Sequence, residues 1–292
     1  MKKILVTGAN GQLGSELRNL APKYPQYTFF FTDVEELDIT NQQAIETFVK
    51  DNSINAIINC AAYTAVDKAE SEQELAEKIN HTAVRYLAEV AKKFGAQMIH
   101  ISTDYVFDGT KTTPYMETDV PNPQSVYGWT KLRGEQVLQE VNPTNSCIIR
   151  TSWVYSAYGH NFVKTMLRLG KEKKELKVVA DQLGSPTYAG DLAATILTIL
   201  PQLNNETVEI YHYTNEGICG WAEFAAEIFK QSKLNCKVIP IPTTDYPTPA
   251  KRPGYSVMEK EKIKQTFEVA IPKWNDSLKE CLLLVNSEKR EE

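Results

Sequence analysis

Three observations in the 292-residue sequence predict an α/β protein built on a doubly wound parallel sheet, with a smaller α/β lobe beside it. The chain opens strand, glycine turn, helix; short apolar runs then alternate with amphipathic helices; and small or polar residues follow the carboxyl end of successive runs. Ile4-Leu5-Val6 is the first run, stopped by Thr7-Gly8-Ala9-Asn10-Gly11-Gln12-Leu13-Gly14 and continued as helical Ser15–Leu20. Tyr27–Thr32 is the second, rich in aromatics that favour strands, and ends at Asp33. Ala56–Cys60 and Gln97–Ile101 follow, with a helix from Glu74 to Phe94 between them. A helix carrying Tyr127 precedes the next strand, Cys147–Arg150. The helix Asp191–Leu203, apolar at Leu192, Ile196, Leu197 and Leu200, and the strand Glu209–Tyr213 read as returning to the same sheet.

In such sheets ligands bind outside the carboxyl ends of the strands. Here those ends carry Asn59-Cys60-Ala61-Ala62-Tyr63, Ser102-Thr103-Asp104 and Thr151-Ser152-Trp153. The glycines after the first strand permit a tight turn and close approach of backbone amides to a pyrophosphate, and the helix start adds partial positive charge. Their spacing, G-x-x-G-x-x-G, differs by one residue from the dinucleotide fingerprint, and a plain strand-to-helix turn also fits it. Asp33 stands where an acid would accept hydrogen bonds from an adenosine ribose; capping a loop is its other reading. No Arg or Lys lies between Thr32 and Lys50, which favours NADH over NADPH.

Tyr127 and Lys131, four residues apart, share a helical face and can set an ammonium beside a phenol. A free phenol has a pKa of about 10, and a nearby cation lowers it toward a useful proton donor. The same spacing suits a lysine stem lying along a half-buried ring. Composition narrows the classes: 42% hydrophobic and 24% charged residues give enough core for one large or two modest domains. A net charge of −5 without an uncompensated basic cluster argues against nucleic acid as a partner. Five scattered cysteines, without C-x-x-C, read as reduced thiols of a cytoplasmic protein; four scattered histidines give little support to a metal site or triad. No run approaches the ~18 apolar residues of a membrane span.

Through Gly8-x-x-Gly11-x-x-Gly14, Ala61-Ala62, Thr103 and Tyr127-x-x-x-Lys131, the chain resembles the extended short-chain dehydrogenase/reductase family. The runs Ala65–Glu70, Ser102–Gly109, Arg150–Tyr155 and Gly184–Thr187 are similar to those of its members that reduce 4-keto sugars of dTDP, over nearly the whole chain. The resemblance implies a Rossmann domain and an NADH- or NADPH-dependent reduction of a C4 ketone on a dTDP-sugar. Thr103, Tyr127 and Lys131 would be catalytic. The dinucleotide would lie on Gly8, Asn10, Gly11, Gln12, Leu13, Gly14, Asp33, Asp38, Ile39, Ala61, Ala62, Tyr63 and Lys131. Thr103, Asp104, Tyr105, Tyr127, Trp153, Asn161 and Arg252 would meet the substrate, Asn161 and Arg252 at its diphosphate. Trp153 suits a core equally well, and Arg252 an exposed surface.

Family architecture interleaves the two parts: residues 1–153 and about 190–215 for the cofactor, about 154–189 and 216–292 for the substrate. Pro-rich Ile239–Pro253 reads as an irregular segment crossing the cleft, and charged Ser287–Glu292 as a fraying tail. Some family members form magnesium-linked dimers through surface carboxylates; Glu16 and Asp191 are candidate ligands, and both monomer and homodimer stay open. Two rival functions share the fold: a nucleotide-sugar epimerase, and a non-catalytic regulatory subunit like the β subunit of methionine adenosyltransferase. The intact Thr103, Tyr127 and Lys131 argue against the second.

Overall fold

Five strands alternate with helices in the first half of the chain, β1 (Lys2–Thr7), β2 (Tyr27–Thr32), β3 (Ala56–Asn59), β4 (Gln97–Thr103) and β5 (Cys147–Thr151), in a computed structural model that describes residues 1–288. A sixth, Glu209–His212, joins them after a long excursion, and every pairing in the sheet is parallel. The order across the sheet is β2, β1, β3, β4, β5, then Glu209–His212. The inner strands β1, β3, β4 and β5 are covered on both faces, so their apolar runs are continuous rather than alternating, whereas the edge strand β2 is only half-buried. Ile4, Val6, Ile58, Ile99 and Ile149 point into one core; Leu5, Ile57, Met98 and Ile148 point into the other.

The predicted helix Glu74–Phe94 is present but not uniform. It runs Gln73–Glu77, widens to a π turn at Lys78–Thr82 and resumes as Ala83–Phe94. The wide turn carries Asn80, whose buried amide accepts from the Tyr63 N–H at 2.9 Å and donates to the Tyr63 carbonyl and Thr130. Such bulges recur where a helix must turn a polar group inward. The Asp191–Leu203 helix is observed as Ala189–Ile199 with a short 3₁₀ turn, because Pro201 cannot continue the α-helical ladder.

A third core lies outside the sheet, around Tyr155, Val163, Phe224, Ile228, Leu278 and Cys281. Two-stranded pairings accompany it: Glu175–Val179 with Lys237–Ile241 in parallel, and Leu183–Gly184 with Cys219–Gly220 antiparallel. The first of these corrects the expectation for Ile239–Pro253, whose opening residues belong to a strand with Pro240 exposed. The chain then sends Ile263 and Phe267, on the helix Glu261–Phe267, back into the sheet core. The helix Trp274–Glu288 closes the described chain, so most of the tail expected to fray, residues 289–292, lies outside the described residues. Among the described residues no helix is long and apolar enough to cross a membrane.

Candidate active site

From β1 the chain moves outward to β2 and then crosses back over β1 to β3, so the glycine turn lies where the strand order reverses. Gly8 sits in the left-handed region at φ 63°, and a Cβ there would come within 2.7 Å of the Ala61 backbone. At Gly14 it would meet the Ala9 Cα at 2.5 Å, so this glycine lets the helix Gln12–Leu20 pack close against the turn. That helix starts at Gly11 with no side-chain cap and no acid in its first turn. Its amide end therefore suits a phosphate group.

A cleft of about 740 Å³ opens along these strand ends. Of the residues expected at the dinucleotide, Gly8, Gly11, Gln12, Leu13, Asp33, Asp38, Ile39, Ala61, Ala62 and Lys131 line it. Asn10, Gly14 and Tyr63 do not. Asn10 acts through its backbone, donating to Asp33 Oδ2 at 3.0 Å; Gly14 serves packing; Tyr63 is tied to Asn80 and, through its hydroxyl, to Glu72. Asp38 turns its carboxylate to Thr40, whose hydroxyl and amide hold its pKa below the usual range.

One cation at the β2 end escaped the sequence reading. Arg18, on the first helix, reaches within 3.4 Å of the Asn10 side-chain oxygen and lies over the Phe31 ring at 5.1 Å. Its signal was helical spacing, two turns beyond Gly11, rather than proximity to Asp33 in the chain.

The helix Val126–Val141 brings in the tyrosine and lysine. Ser125 caps it by accepting from the Gly128 N–H, and Gly128 lets it approach the Tyr105 carbonyl, where a Cβ would sit at 2.3 Å. Tyr127 then faces the cleft, edge-on to Tyr105 with ring centroids 5.4 Å apart. Burial pushes its phenol up to about 12; the hydrogen bond with Thr103 pulls it down, and the charge of Asp104 adds to the rise. This corrects the expectation of a phenol lowered by lysine: desolvation sets the direction, and the only lowering influence is Thr103.

Lys131 is 2% exposed, and its ammonium donates to the Ile101 carbonyl at 2.6 Å. Burial lowers it to about 8, against the raising influence of Glu135 one turn further along. Glu135 is itself paired with Arg150 from β5 and accepts from Ser102.

At the substrate end, Thr103, Asp104, Tyr105, Tyr127 and Trp153 line the cleft as expected. Asp104 is buried and accepts from Thr103 Oγ1 at 3.0 Å. Its burial raises the pKa to about 6, against hydrogen bonds from Ser256 and Thr103. Trp153 adopts φ 50°, and its ring stacks on Trp221 at 3.5 Å, so it is both a cleft wall and a packed residue.

Two diphosphate candidates are occupied elsewhere. Asn161 caps the helix Phe162–Glu172, accepting from the Lys164 N–H and donating to the Ser156 and Tyr158 carbonyls; its neighbours Gly159 and His160 reach the cleft instead. Arg252 forms a two-pronged pair with Asp67, at 3.0 and 2.8 Å, and is absent from the cleft lining. The magnesium candidates also turn inward. Glu16 is buried and accepts from Ser156, while Asp191 accepts from Asn215 and Ser277. Both are committed to internal hydrogen bonds, and no group of three or more metal-binding side chains occurs among the described residues.

A glycine turn at the switch point of a parallel sheet, sharing one cleft with a Thr, Tyr and Lys set, defines an oxidoreductase of the short-chain dehydrogenase/reductase class. Over residues 1–286 the chain matches the RmlD substrate binding domain, and it belongs to that family. It is 44% identical to a dTDP-4-dehydrorhamnose reductase of Aggregatibacter actinomycetemcomitans, covering 96% of this chain and 98% of the relative. The crystal structure of a dTDP-4-dehydrorhamnose reductase from Clostridium acetobutylicum superposes with a TM-score of 0.92 at 46% identity, covering 97% of this chain and 99% of that one. Another from Bacillus anthracis, in complex with NADP, gives a TM-score of 0.92 at 40% identity, with 97% and 99% covered.

Proposed function

We propose that this protein reduces the C4 ketone of dTDP-4-dehydro-L-rhamnose to dTDP-L-rhamnose, with NADH or NADPH as reductant. The observation that carries the reading is one cleft lined by Thr103, Tyr127 and Lys131 together with the glycine turn at Gly8 and Gly11. When bound, the nicotinamide supplies the hydride to the carbonyl carbon. Gly8, Gly11, the helix start at Gln12 and the Ala61-Ala62 strand end would hold the dinucleotide; the uncapped helix and the glycine close approaches fit it.

The chain's own residues handle the oxygen. Charge builds on the ketone oxygen as reduction proceeds, and a positioned acid keeps it from accumulating. Tyr127, held near 12, is fully protonated at neutral pH and so has its proton to give. Thr103 faces the same oxygen, and its hydroxyl, which otherwise donates to Asp104, turns to donate to the substrate. Lys131, Glu135 and Arg150 together leave one net positive charge on the side of the cleft that carries Tyr127, which favours the tyrosinate left behind. Asp104, lining the cleft beside Thr103, is placed to accept a sugar hydroxyl, and Trp153 offers a flat apolar face.

Both nicotinamide dinucleotides suit the β2 end: Asp33 accepts from ribose hydroxyls, and Arg18 supplies a cation for a 2′-phosphate. Residues 1–153 and about 190–215 form the cofactor part; about 154–189 and 216–292 form the substrate part, with Glu261–Phe267 returning to the sheet. We assign the protein to the cytoplasm, where nucleotide sugars are made.

The test is to add enzymatically prepared dTDP-4-dehydro-L-rhamnose and follow nicotinamide absorbance. Stoichiometric consumption with a dTDP-rhamnose product supports the reading. Isomerised sugar without net consumption points to an epimerase; binding without turnover points to a regulatory subunit.

A further inference from the structure

A polar ladder runs through the interior of the sheet, behind the cleft. Thr7, Asn59 and His100 occupy register-matched positions on β1, β3 and β4, near the carboxyl ends of three adjacent strands. All three are buried, Asn59 and His100 completely. Thr7 Oγ1 lies 2.6 Å from Asn59 Oδ1, and Asn59 Nδ2 lies 3.0 Å from His100 Nδ1. The other ring nitrogen, His100 Nε2, lies 3.4 Å from the Lys131 ammonium. In a sheet interior where the surrounding strand residues are Val, Ile, Leu and Met, such a row costs desolvation at every member unless each is paired.

The donor count restricts the arrangement. A neutral imidazole has one N–H and one acceptor nitrogen, whereas a side-chain NH₂ and an ammonium approach its two nitrogens. A doubly protonated ring is excluded, because burial and the charge of Lys131 both push the His100 pKa well below its ordinary value. Turning the Asn59 amide end over end resolves the conflict without moving a heavy atom: Oδ1 then accepts from His100 Nδ1–H, and Nδ2 donates to Thr7 Oγ1. The Nε2 lone pair is left facing Lys131.

We propose that His100 is a positioning residue for the reaction: the Thr7–Asn59 ladder holds its ring in the Nδ1–H form, so that Nε2 accepts from Lys131 and, with the Ile101 carbonyl, fixes the ammonium on the side of the cleft that carries Tyr127. The inference rests on the catalytic reading of Lys131. The groups around that ammonium are His100 and the Ile101 carbonyl from β4 and Glu135 from its own helix, which neutralises Arg150 of β5. His100 and Ile101 hold it from the sheet side, and His100 stands behind the cleft rather than in its lining. A neutral acceptor in that place favours the charged lysine without adding a competing negative charge.

Two measurements test this. Nitrogen NMR of the intact protein labelled in histidine should show His100 neutral from pH 5 to 9 with the proton on Nδ1; a proton on Nε2 would overturn the proposal, and this reading needs neither variant nor substrate. In turnover, His100→Leu should move the alkaline limb of kcat/KM down by about one pH unit, the order expected for losing a hydrogen bond to a charged group. His100→Gln, which offers an acceptor oxygen, should restore much of the limb. An unmoved limb in a folded His100→Leu protein rejects the role. Failure of the reductase reading looks different, since the wild-type protein would then not consume NADPH at all.

Discussion

Arg150 of β5 and Glu135 of the Tyr127 helix form a fully buried pair, with Arg150 Nε and Nη2 donating to the carboxylate at 2.9 and 2.6 Å. Their side chains are 2% and 1% exposed. Removing one partner from such a pair leaves an uncompensated interior charge and typically costs about 3–5 kcal/mol. Glu135→Gln should lower the urea midpoint accordingly. It should also move the titration of Lys131 further down, because Glu135 is what raises it. A variant as stable as the parent would show that the pair is replaceable.

Replacing Tyr127 by Phe removes the proton donor and keeps the ring against Tyr105. Positioned acids contribute about 10²–10⁴-fold, so kcat should fall by that order while NADPH affinity stays within a few-fold. Fluorescence titration of the cofactor beside steady-state turnover makes the comparison. Near-normal turnover in a folded Tyr127→Phe protein would remove tyrosine from the mechanism.

The pH profile of kcat/KM reports the free protein. Lys131, lowered to about 8, should set the alkaline limb, since Tyr127 near 12 keeps its proton throughout. Asp104, raised to about 6, should set the acid limb, because it must be ionised to accept a sugar hydroxyl well. The consequence for stability has the opposite sense to an ordinary ion-paired acid. A carboxyl raised above its unfolded value of about 3.9 favours folding at low pH and loses that contribution as pH rises through 6. Asp104→Asn should therefore gain stability relative to the parent between pH 4 and 7.5, and a gain independent of pH would contradict this.

Gly8→Ala places a methyl in a left-handed backbone and against Ala61 at 2.7 Å. Strain of this kind costs about 1–3 kcal/mol, and here it also pries apart the turn that faces the dinucleotide. Both the melting temperature and cofactor affinity should fall. Unchanged cofactor affinity would separate the turn from the binding site.

Arg18→Ala should raise the KM for NADPH roughly tenfold, the size of one charge-assisted contact, with a smaller change for NADH. Equal changes with both cofactors would assign Arg18 to the fold rather than to the 2′-phosphate.

The inner sheet strands were legible because burial on both faces makes them apolar runs, as in Ile4–Val6 and Ile148–Ile149, and the edge strand β2 by its aromatic residues. Thr103, Tyr127 and Lys131 were legible because strand ends and helical spacing bring them to one edge. The Tyr127 titration was not, because it depends on how many atoms crowd the phenol, a property of the tertiary packing alone. Arg252 and Asp67 meet across 185 residues, a pairing that no local pattern encodes. Asn161 is a different kind of miss: an Asn immediately before an apolar helix is a capping signature, and its position said so before the structure did. The polar ladder had a faint signal too, in that three apolar runs each end in a residue able to hydrogen-bond.

The strand Glu209–His212 is the last to enter the sheet, and it covers the flank of β5. During synthesis the ribosome must therefore make about two hundred residues before that flank is paired, leaving Ile148 and Ile149 with an open edge in the nascent chain. The lid provided by Ile263 and Phe267 arrives later still. Fragments ending near residue 200, though they contain every glycine of the turn and the whole Tyr127 helix, should aggregate rather than fold, and slowed translation after residue 151 should lengthen dependence on chaperones.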